Sequence, residues 1–452
     1  MGQQSHSATN TKLNRIAWLS KQDSGKEFEC LMHLYNQESL IECFNELDKD
    51  KAVGVDGVTK MAYGANLYGN IEQLMIQMKN MAYRPGPVRE HLIPKEGKPG
   101  ATRPLGISNL EDKIVQKMTQ KVLESIYEPL FLDCSHGFRP GRGCHTAIQA
   151  LLNHLYSNEI QTVIDIDLKN FFGTIDHQLL EDTLKEKIKD PKFMRYINRM
   201  FKSGVLAEGE LTINEEGVPQ GSICSPVMSN IFAHYAIDKW IEEMVKPVCK
   251  GSVGLFRYAD DAVICCQYEA DAQRIRQSLG KRLEKFKLQL NEEKTKLVPF
   301  DKEEAARGVK QGTFDFLGFT FYWGNSKTGR IVPKLKTRTK TMRTKLTKVN
   351  EWAKQIRNTR PLKEIWKILK AKMRGHIQYY GVSHNLDGVK QFIHGTRRIV
   401  FKWLNRRSQK KSFTWEQFLL FIARDPLPEA RIVHKMFKSH SRRKVSIVSP
   451  LP

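Results

Sequence analysis

Two short stretches set acids into otherwise apolar runs. Residues 256–266 read FRYADDAVICC, with Asp260 and Asp261 side by side, and residues 163–168 read VIDIDL, with Asp165 and Asp167 two positions apart. Residues two apart on a strand share a face. An isolated carboxylate withdrawn from water is costly or gives up its charge. If FRYADDAVICC folds as a hairpin with the Asp pair at its turn, and the hairpin lies beside the first strand, three carboxylates converge at one sheet edge. Such a cluster repels itself unless cations neutralise it, and oxygen-only ligands select hard cations such as Mg²⁺. Two such ions about 3.5–4 Å apart, bridged by aspartates, serve in-line phosphoryl transfer: one activates the attacking hydroxyl, the other stabilises the leaving pyrophosphate. A lone Asp-Asp pair is more simply a solvated turn, so the neighbouring segments decide.

The elements that must position these acids are legible in part. TVIDIDL (162–168) alternates as a strand does, and apolar residues flank the Asp pair on both sides. EDKIVQKMTQKVLESIYEPLF (111–131) has helical periodicity through Ile114, Met118, Val122 and Ile126. AVGVDGVT (52–59) is a Gly-punctuated loop. Residues 1–25 are polar and read as poorly ordered. Residues 26–50 read as helical through Phe28, Leu31, Leu34 and Leu40. From 331 the pattern reads as all-helical. Its three runs are Leu335, Met342, Leu346, Val349, Trp352, Ile356; then Leu362, Ile365, Leu369, Met373, Ile377; then Val389, Phe392, Thr396, Ile399, Trp403. TWEQFLLFIA opens on a capping box, Thr414 and Gln417. The coarse picture is an α/β body followed by a small basic helical bundle.

Hydrophobic residues make up 40% of the chain, which fits a globular protein. No stretch approaches the ~20 apolar residues of a membrane span, and the N-terminus lacks a secretory apolar region. The default reading is therefore the cytoplasm, bacterial by preference, with no membrane partner. Eight cysteines form no CxxC pair and none follows Cys266, so neither a disulfide framework nor a zinc spacing is present. The net charge is +24, and its location is informative: residues 331–452 hold 30 Lys and Arg against 6 acids, whereas the rest balances at 43 and 43. A basic third on a neutral body suggests a polyanion-binding module attached to an enzymatic or structural domain.

At this point the motifs carry a resemblance. YADD after an apolar strand, with DIDLKNFF upstream and GVPQGSICSPVMSNIFAHYAI (217–237) between them, resembles the palm of a reverse transcriptase. Also matching, in the family's order, are LIPKEGKPGATRPLGI (92–107), SHGFRPGRGCHTAI (135–148), LQLNEEKTKLVPF (288–300) and FDFLGFTF (314–321). With YRPGPVR (83–89) and MRGHIQYYGV (373–382) they are similar to the group II intron-encoded reverse transcriptases and maturases, in a form lacking the HNH endonuclease domain. The resemblance covers residues 30–440. It implies an α/β (α+β) right-hand polymerase. Fingers and palm with an antiparallel palm sheet would occupy 51–330, after an N-terminal extension over 1–50. A basic α-helical thumb, the maturase or X domain, would occupy 331–452.

The family's roles carry over residue by residue. Asp167, Asp260 and Asp261 would be the catalytic carboxylates and metal ligands for two Mg²⁺ ions, with Mn²⁺ as a substitute. Asp167 is preferred to Asp165 because an aromatic, Phe172, follows it by five residues. Phe172 would be the steric gate against a 2′-hydroxyl, or a core residue. Lys95 and Arg103 would grip a triphosphate, Arg with bidentate contacts. Gln220 would touch the incoming nucleotide or template. Lys294 would give a proton to pyrophosphate, or is a surface lysine. Arg139 and Arg142 would contact template backbone or order their turn. In RRIVFKWLNRR (397–407), basic residues interleave with aromatics; Arg397, Arg398, Lys402, Arg406 and Arg407 would follow the phosphates of an RNA–DNA duplex or of intron RNA. The expected partners are an RNA template, a DNA primer, dNTPs and group II intron RNA. The oligomeric state stays open.

Many relatives continue into an endonuclease. Here the last third has no cysteine and five scattered histidines, so a metal-dependent nuclease is not expected. Six dispersed acids make a ribonuclease H centre equally unexpected. Ser222 and Cys224 stand where relatives often carry Gly and Leu. Three functional readings remain: an RNA-directed DNA polymerase that also acts as an intron maturase in retrohoming; a free-standing polymerase for repair or defence; and an RNA-binding splicing factor with a dead polymerase. The three aspartates argue against the last.

Overall fold

The structure, a computed structural model, describes residues 8–94, 100–207, 210–213, 216–217, 221–407 and 414–437. The chain divides into two compact units: residues up to 147 together with 158–314, and residues 148–157 together with 315 onward.

In the first unit the helices are α1 (Ala8–Gln22), α2 (Gln37–Glu46), α3 (Lys60–Gly64), α4 (Leu67–Lys79), α5 (Leu110–Tyr127), the start of α6 (Cys144–Ser157), α7 (His177–Lys185), α8 (Pro191–Phe201), α9 (Ser225–Ala233), α10 (Glu269–Glu284) and α11 (Lys302–Ala306). The strands are β1 (Val88–Pro94), β2 (Thr102–Ile107), β3 (Thr162–Ile166), β4 (Val205–Ala207), β5 (Glu210–Thr212), β6 (Val253–Tyr258), β7 (Asp261–Cys266) and β8 (Lys296–Pro299). Helix α5 is the spine. Glu111 and Asp112 sit in its first turn, where the helix dipole favours acids, and Ile114, Met118, Val122 and Ile126 are fully buried.

Of the residues 1–25 read as poorly ordered, 1–7 lie outside the described residues and 8–22 depart from expectation. Far from being poorly ordered, residues 8–22 form α1, which buries Leu13 and Ile16 in the main core and donates Ser20 Oγ to the Ile126 carbonyl at 2.5 Å. The reason is a narrow stripe: two apolar residues three apart suffice once a neighbour covers them. Residues 26–36 are not helical throughout either. Phe28 bridges to Ile188, and the Leu31 and Met32 amides donate to the Asp190 carboxylate at 2.7 and 3.2 Å. The helix starts only at Gln37, behind an Asn36–Ser39 capping box.

Two sheets organise the unit. A mixed sheet runs β2-β1-β4-β5, with β1 antiparallel to β2 and parallel to β4. The other runs β6-β7-β3-β8 and is antiparallel throughout. One of its faces sends Ile164, Ile166, Ala262, Ile264 and Leu255 into the main core. The opposite parity holds Val163, Asp165, Val263, Cys265 and Phe256.

The second unit starts with a three-stranded sheet of β9 (Phe314–Phe316), β10 (Phe319–Asn325) and β11 (Ile331–Thr337), order β11-β10-β9. It continues with α12 (Thr339–Ile356), α13 (Leu362–Tyr380), α14 (Leu386–Leu404) and α15 (Trp415–Arg424). The all-helical pattern therefore starts at 339, not 331. Leu335 is a buried strand residue pairing with Phe321; it lies seven before Met342, as on a helix face, but it also alternates with the buried Pro333 and Thr337, as in a strand. Helix α15 does open on the Thr414–Gln417 capping box. All eight cysteines are free thiols. Among the described residues no helix is long and apolar enough to cross a membrane.

Candidate active site

The register of the four-stranded sheet brings the acids together. The β3–β7 ladder ends at Ile166 opposite Ala262, so the next positions out, Asp167 and Asp261, face each other just beyond it. Asp165 lies inside the ladder, opposite Val263 on one side and Lys296 on the other. Strands β6 and β7 close at the Tyr258–Asp261 pair, leaving only Ala259 and Asp260 as the turn. A two-residue hairpin needs a positive φ at its first loop residue, a position usually taken by Gly or Asn. Ala259 adopts it at φ +58° and is buried. Asp167, Asp260 and Asp261 thus come to one end of one sheet, two by ladder register and one by a strained turn.

Asp260 is exposed at the hairpin tip, yet its carboxyl is pushed above the usual range. The largest cause is the protein packed around it, and the Asp167 charge adds to it; a hydrogen bond from its own backbone and the Arg257 charge pull the other way. Asp167 and Asp260 therefore sense each other as like charges. The Lys294 ammonium meets both Asp167 carboxylate oxygens at 3.3 Å. The loop that carries it is tied to the same residue: the Asn291 amide donates to the Asp167 carbonyl at 2.8 Å, and the Asp167 amide to Thr295 Oγ1 at 3.3 Å. Carboxylate oxygens under mutual repulsion, one already neutralised by an ammonium, fit a hard divalent cation. Among the described residues no group of three His, Cys, Asp or Glu forms a ready-made metal site. The acids share a sheet end without closing into a cage.

The other sequence-based candidates are scattered. Phe172 stands in a short 3₁₀ turn, Phe171–Gly173, partly buried, its ring edge-on to Phe171 at 5.5 Å. Arg103 is exposed on β2, paired with Ile93. Lys95 and Gln220 lie outside the described residues. Gly221, next to Gln220, has φ +112°, and a Cβ there would come within 2.3 Å of the Gly106 carbonyl on β2. Only glycine lets that loop press against the strand that carries Arg103.

Of the two roles left open for Arg139, the structure supports the ordering of its turn and not template contact. Its guanidinium is turned inward, clasping the Glu128 carboxylate at 2.8–3.1 Å and donating to the carbonyls of Leu132 and Ser135 at 2.7 and 2.9 Å. With its side chain 3% exposed it orders the turn and offers nothing to a template. Arg142 pairs with the exposed Asp133 at 2.6 Å. In the second unit Arg398, Lys402 and Arg406 are exposed on and just past α14, whereas Arg397 and Arg407 are half-buried and Arg407 donates to the Arg360 carbonyl at 3.3 Å. Lys402 and Arg406 lie over the Trp403 ring at 5.2 and 5.3 Å. Arg398 and Lys402 also line a cavity of about 710 Å³ with His394, Phe401 and Trp415.

Sequence reasoning passed over Thr295, which is tied to Asp167, and Arg257, which is buried beneath the hairpin. The signal for Arg257 was present: in 253–257 it shares the parity of Val253 and Leu255, the core face.

Comparison with known proteins agrees with this geometry. Residues 93–321 match the family model for reverse transcriptase (RNA-dependent DNA polymerase). The chain is 32% identical over 233 residues to the group II intron-encoded protein LtrA of Lactococcus lactis, covering 51% of this chain and 38% of that one. It is 34% identical over 211 residues to an uncharacterized 91 kDa protein in the cob intron of Schizosaccharomyces pombe, covering 47% and 26%. It is 33% identical over 274 residues to protein YkfC of Escherichia coli K12, covering 54% and 71%. The chain thus spans 38% or less of the length of two of these relatives and 71% of the third. A match over half the chain, with the acids at the end of the sheet that the match encloses, assigns the protein to the reverse transcriptase (RNA-dependent DNA polymerase) family, of the group II intron type.

Proposed function

We propose that this protein is an RNA-directed DNA polymerase that extends a primer 3′-OH on an RNA template with dNTPs, and that it also serves its own group II intron RNA as a splicing maturase in retrohoming. The observation that carries the reading is the meeting of Asp167, Asp260 and Asp261 beyond the last rung of an antiparallel sheet, with Lys294 on Asp167. In this reading the β6-β7-β3-β8 sheet is the palm and the β1–β2 strands belong to the fingers. Helices α12–α15 form the thumb.

The three aspartates would hold Mg²⁺, which when bound supplies the charge that lowers the barrier to phosphoryl transfer. The chain's own groups do the rest. Lys294 holds the Asp167 carboxylate in place, with its ammonium 3.3 Å from both oxygens. Lys294 gives a proton to the departing pyrophosphate. Phe172 excludes a 2′-hydroxyl, and Arg103 and Lys95 hold the triphosphate, with Gln220 beside the base pair. Arg398, Lys402 and Arg406 follow the backbone of the RNA–DNA duplex or intron RNA. The cob-intron protein and LtrA support the intron half of the proposal by likeness only.

Primer extension on poly(rA)/oligo(dT) tests it, comparing wild type with the Asp260→Ala, Asp261→Ala double variant. The expected outcome is Mg²⁺-dependent synthesis that the double variant loses. Undiminished synthesis by the variant, or none by wild type, defeats the assignment.

A further inference from the structure

The Asp260 turn rests on a buried polar assembly that the reaction itself does not use. Arg257 is 1% exposed, yet every nitrogen of its guanidinium is engaged. Nε and Nη2 donate to the two Asp238 oxygens at 2.7 and 2.6 Å, and Nη2 also to Ser135 Oγ at 2.8 Å. Nη1 donates to the Asn230 side-chain oxygen at 3.1 Å and, at 3.1 Å, to the carbonyl of Ala259. That carbonyl belongs to the peptide linking Ala259 to Asp260.

The other side of the turn is held as closely. The Asn230 amide donates to the Gly137 carbonyl at 2.6 Å. Gly137 lies so near the hairpin that a Cβ on it would stand 2.5 Å from the Ala259 nitrogen. The 134–136 segment runs beside β6: Arg257 N donates to the Cys134 carbonyl at 2.8 Å, and His136 N to the Arg257 carbonyl at 2.9 Å. A non-glycine residue at φ +58° persists only where its surroundings over-determine it. Here they do so from two directions.

The helix beneath is shaped for this task. Asn230 is on α9, and Asp238 ends the π-helical segment His234–Asp238 that continues it. Eight residues of uninterrupted α-helix would leave two side chains about 80° apart around the axis. The i→i+5 segment widens the turn, and both reach one guanidinium.

We infer that Arg257 is a positioning residue for Asp260. Locked by Asp238 and Asn230, it grips the Ala259 carbonyl and so sets the strained turn that presents the carboxylate. The inference rests on the polymerase reading for its kinetic consequence, but the claim about the turn stands on geometry alone. A lysine in place of Arg257 would keep the charge but could not reach Asp238, Asn230, Ser135 and Ala259 together.

The test uses the full chain. In Arg257→Lys, amide hydrogen exchange should speed at residues 256–266 and stay unchanged in α5 and in α12–α15. The rate constant for single-nucleotide incorporation should fall at least tenfold, with dNTP KM and duplex Kd within twofold. Adding Ala259→Gly should return part of that rate, because glycine holds a positive φ without a clamp. If Arg257→Lys does not fold, Asn230→Ala carries the same test, since it leaves the Arg257–Asp238 pair whole. Wild-type rate and exchange in the folded variant overturn the inference. So does an Ala259→Gly effect that is the same with and without the clamp, or exchange that rises across the whole core. An inactive wild type whose hairpin exchange still responds to Arg257→Lys defeats the polymerase reading and leaves the positioning role standing.

Discussion

Lys294 can be assigned a role by separating its charge from its proton. Its pair with Asp167 is 3.3 Å long, and the two side chains are 57% and 39% exposed. Pairs that open to water contribute about 0–1 kcal/mol to stability. Lys294→Gln and Lys294→Arg should therefore leave the urea midpoint within the equivalent of about 1 kcal/mol. A general acid is a different matter, contributing about 10²–10⁴ in rate, or about 3–5 kcal/mol of barrier. Arginine keeps the positive charge beside Asp167 but does not release a proton near neutral pH. If Lys294 is the proton donor, both variants should lose at least about a hundredfold in the chemical step. If it only neutralises Asp167, Lys294→Arg should restore what Lys294→Gln loses. Rapid-quench incorporation of one dNTP on a preformed RNA–DNA duplex reads the step directly. A Lys294→Arg variant within threefold of wild type refutes proton donation.

Phe172→Ala should raise ribonucleotide incorporation at little cost in stability, because the ring is only partly buried and packs edge-on to Phe171; unchanged sugar selectivity removes it from the gate. Arg398→Glu with Lys402→Glu should lower the salt dependence of RNA binding, since each phosphate contact contributes about 0.7–0.9 to the log–log slope; an unchanged slope on a nitrocellulose filter assay excludes both from the interface. Acid should destabilise the fold through its buried histidines. Burial first, then Lys345, pushes His376 down to about 3 from 6.5, and burial pushes His136 and His234 down to about 4. Below pH 6.5 the unfolded chain takes up protons that these folded rings refuse, so stability is full above that pH and falls toward pH 3 to 4. From pH 6.5 to 5 a single such ring accounts for about 2 kcal/mol. His376 stacks on Phe392 at 3.5 Å, so phenylalanine fits its place, and urea melts of His376→Phe should show a shallower loss between pH 7 and 5. An unchanged pH dependence would show that His376 does not contribute.

The acids were legible because period-2 alternation fixes which residues share a face, and a hairpin fixes what meets at its tip. Alternation alone left the two strands' adjacency open, and the motif order suggested it; α5 and α14 show their core faces in sequence directly. The misreadings have a common cause, which is that they depend on partners supplied from a distance. Leu335 falls at helical spacing to Met342 but also two from Pro333 and Thr337, and its pairing with Phe321 decides for the strand. Leu13 and Ile16 are too few to announce a helix until the main core covers them. For Arg139 in FRPGRG the sequence left template contact and turn-ordering open, and Glu128, 11 residues earlier, decides for the turn.

Arginine is where sequence counting fails most, because charge says nothing of direction. Arg257 and Arg139 are both nearly inaccessible, each bound to its own carboxylate, so they add nothing to the outward field of the first unit. Arg398, Lys402 and Arg406 are exposed on a unit with few acids to answer them. The even balance of residues 1–330 and the surplus of 331–452 are thus different kinds of quantity. In the first unit part of the balance is internal structure, and among the described residues of the helical unit Arg398, Lys402 and Arg406 face solvent. It is the buried arginine that reaches the Asp260 turn, through one hydrogen bond to the carbonyl of Ala259.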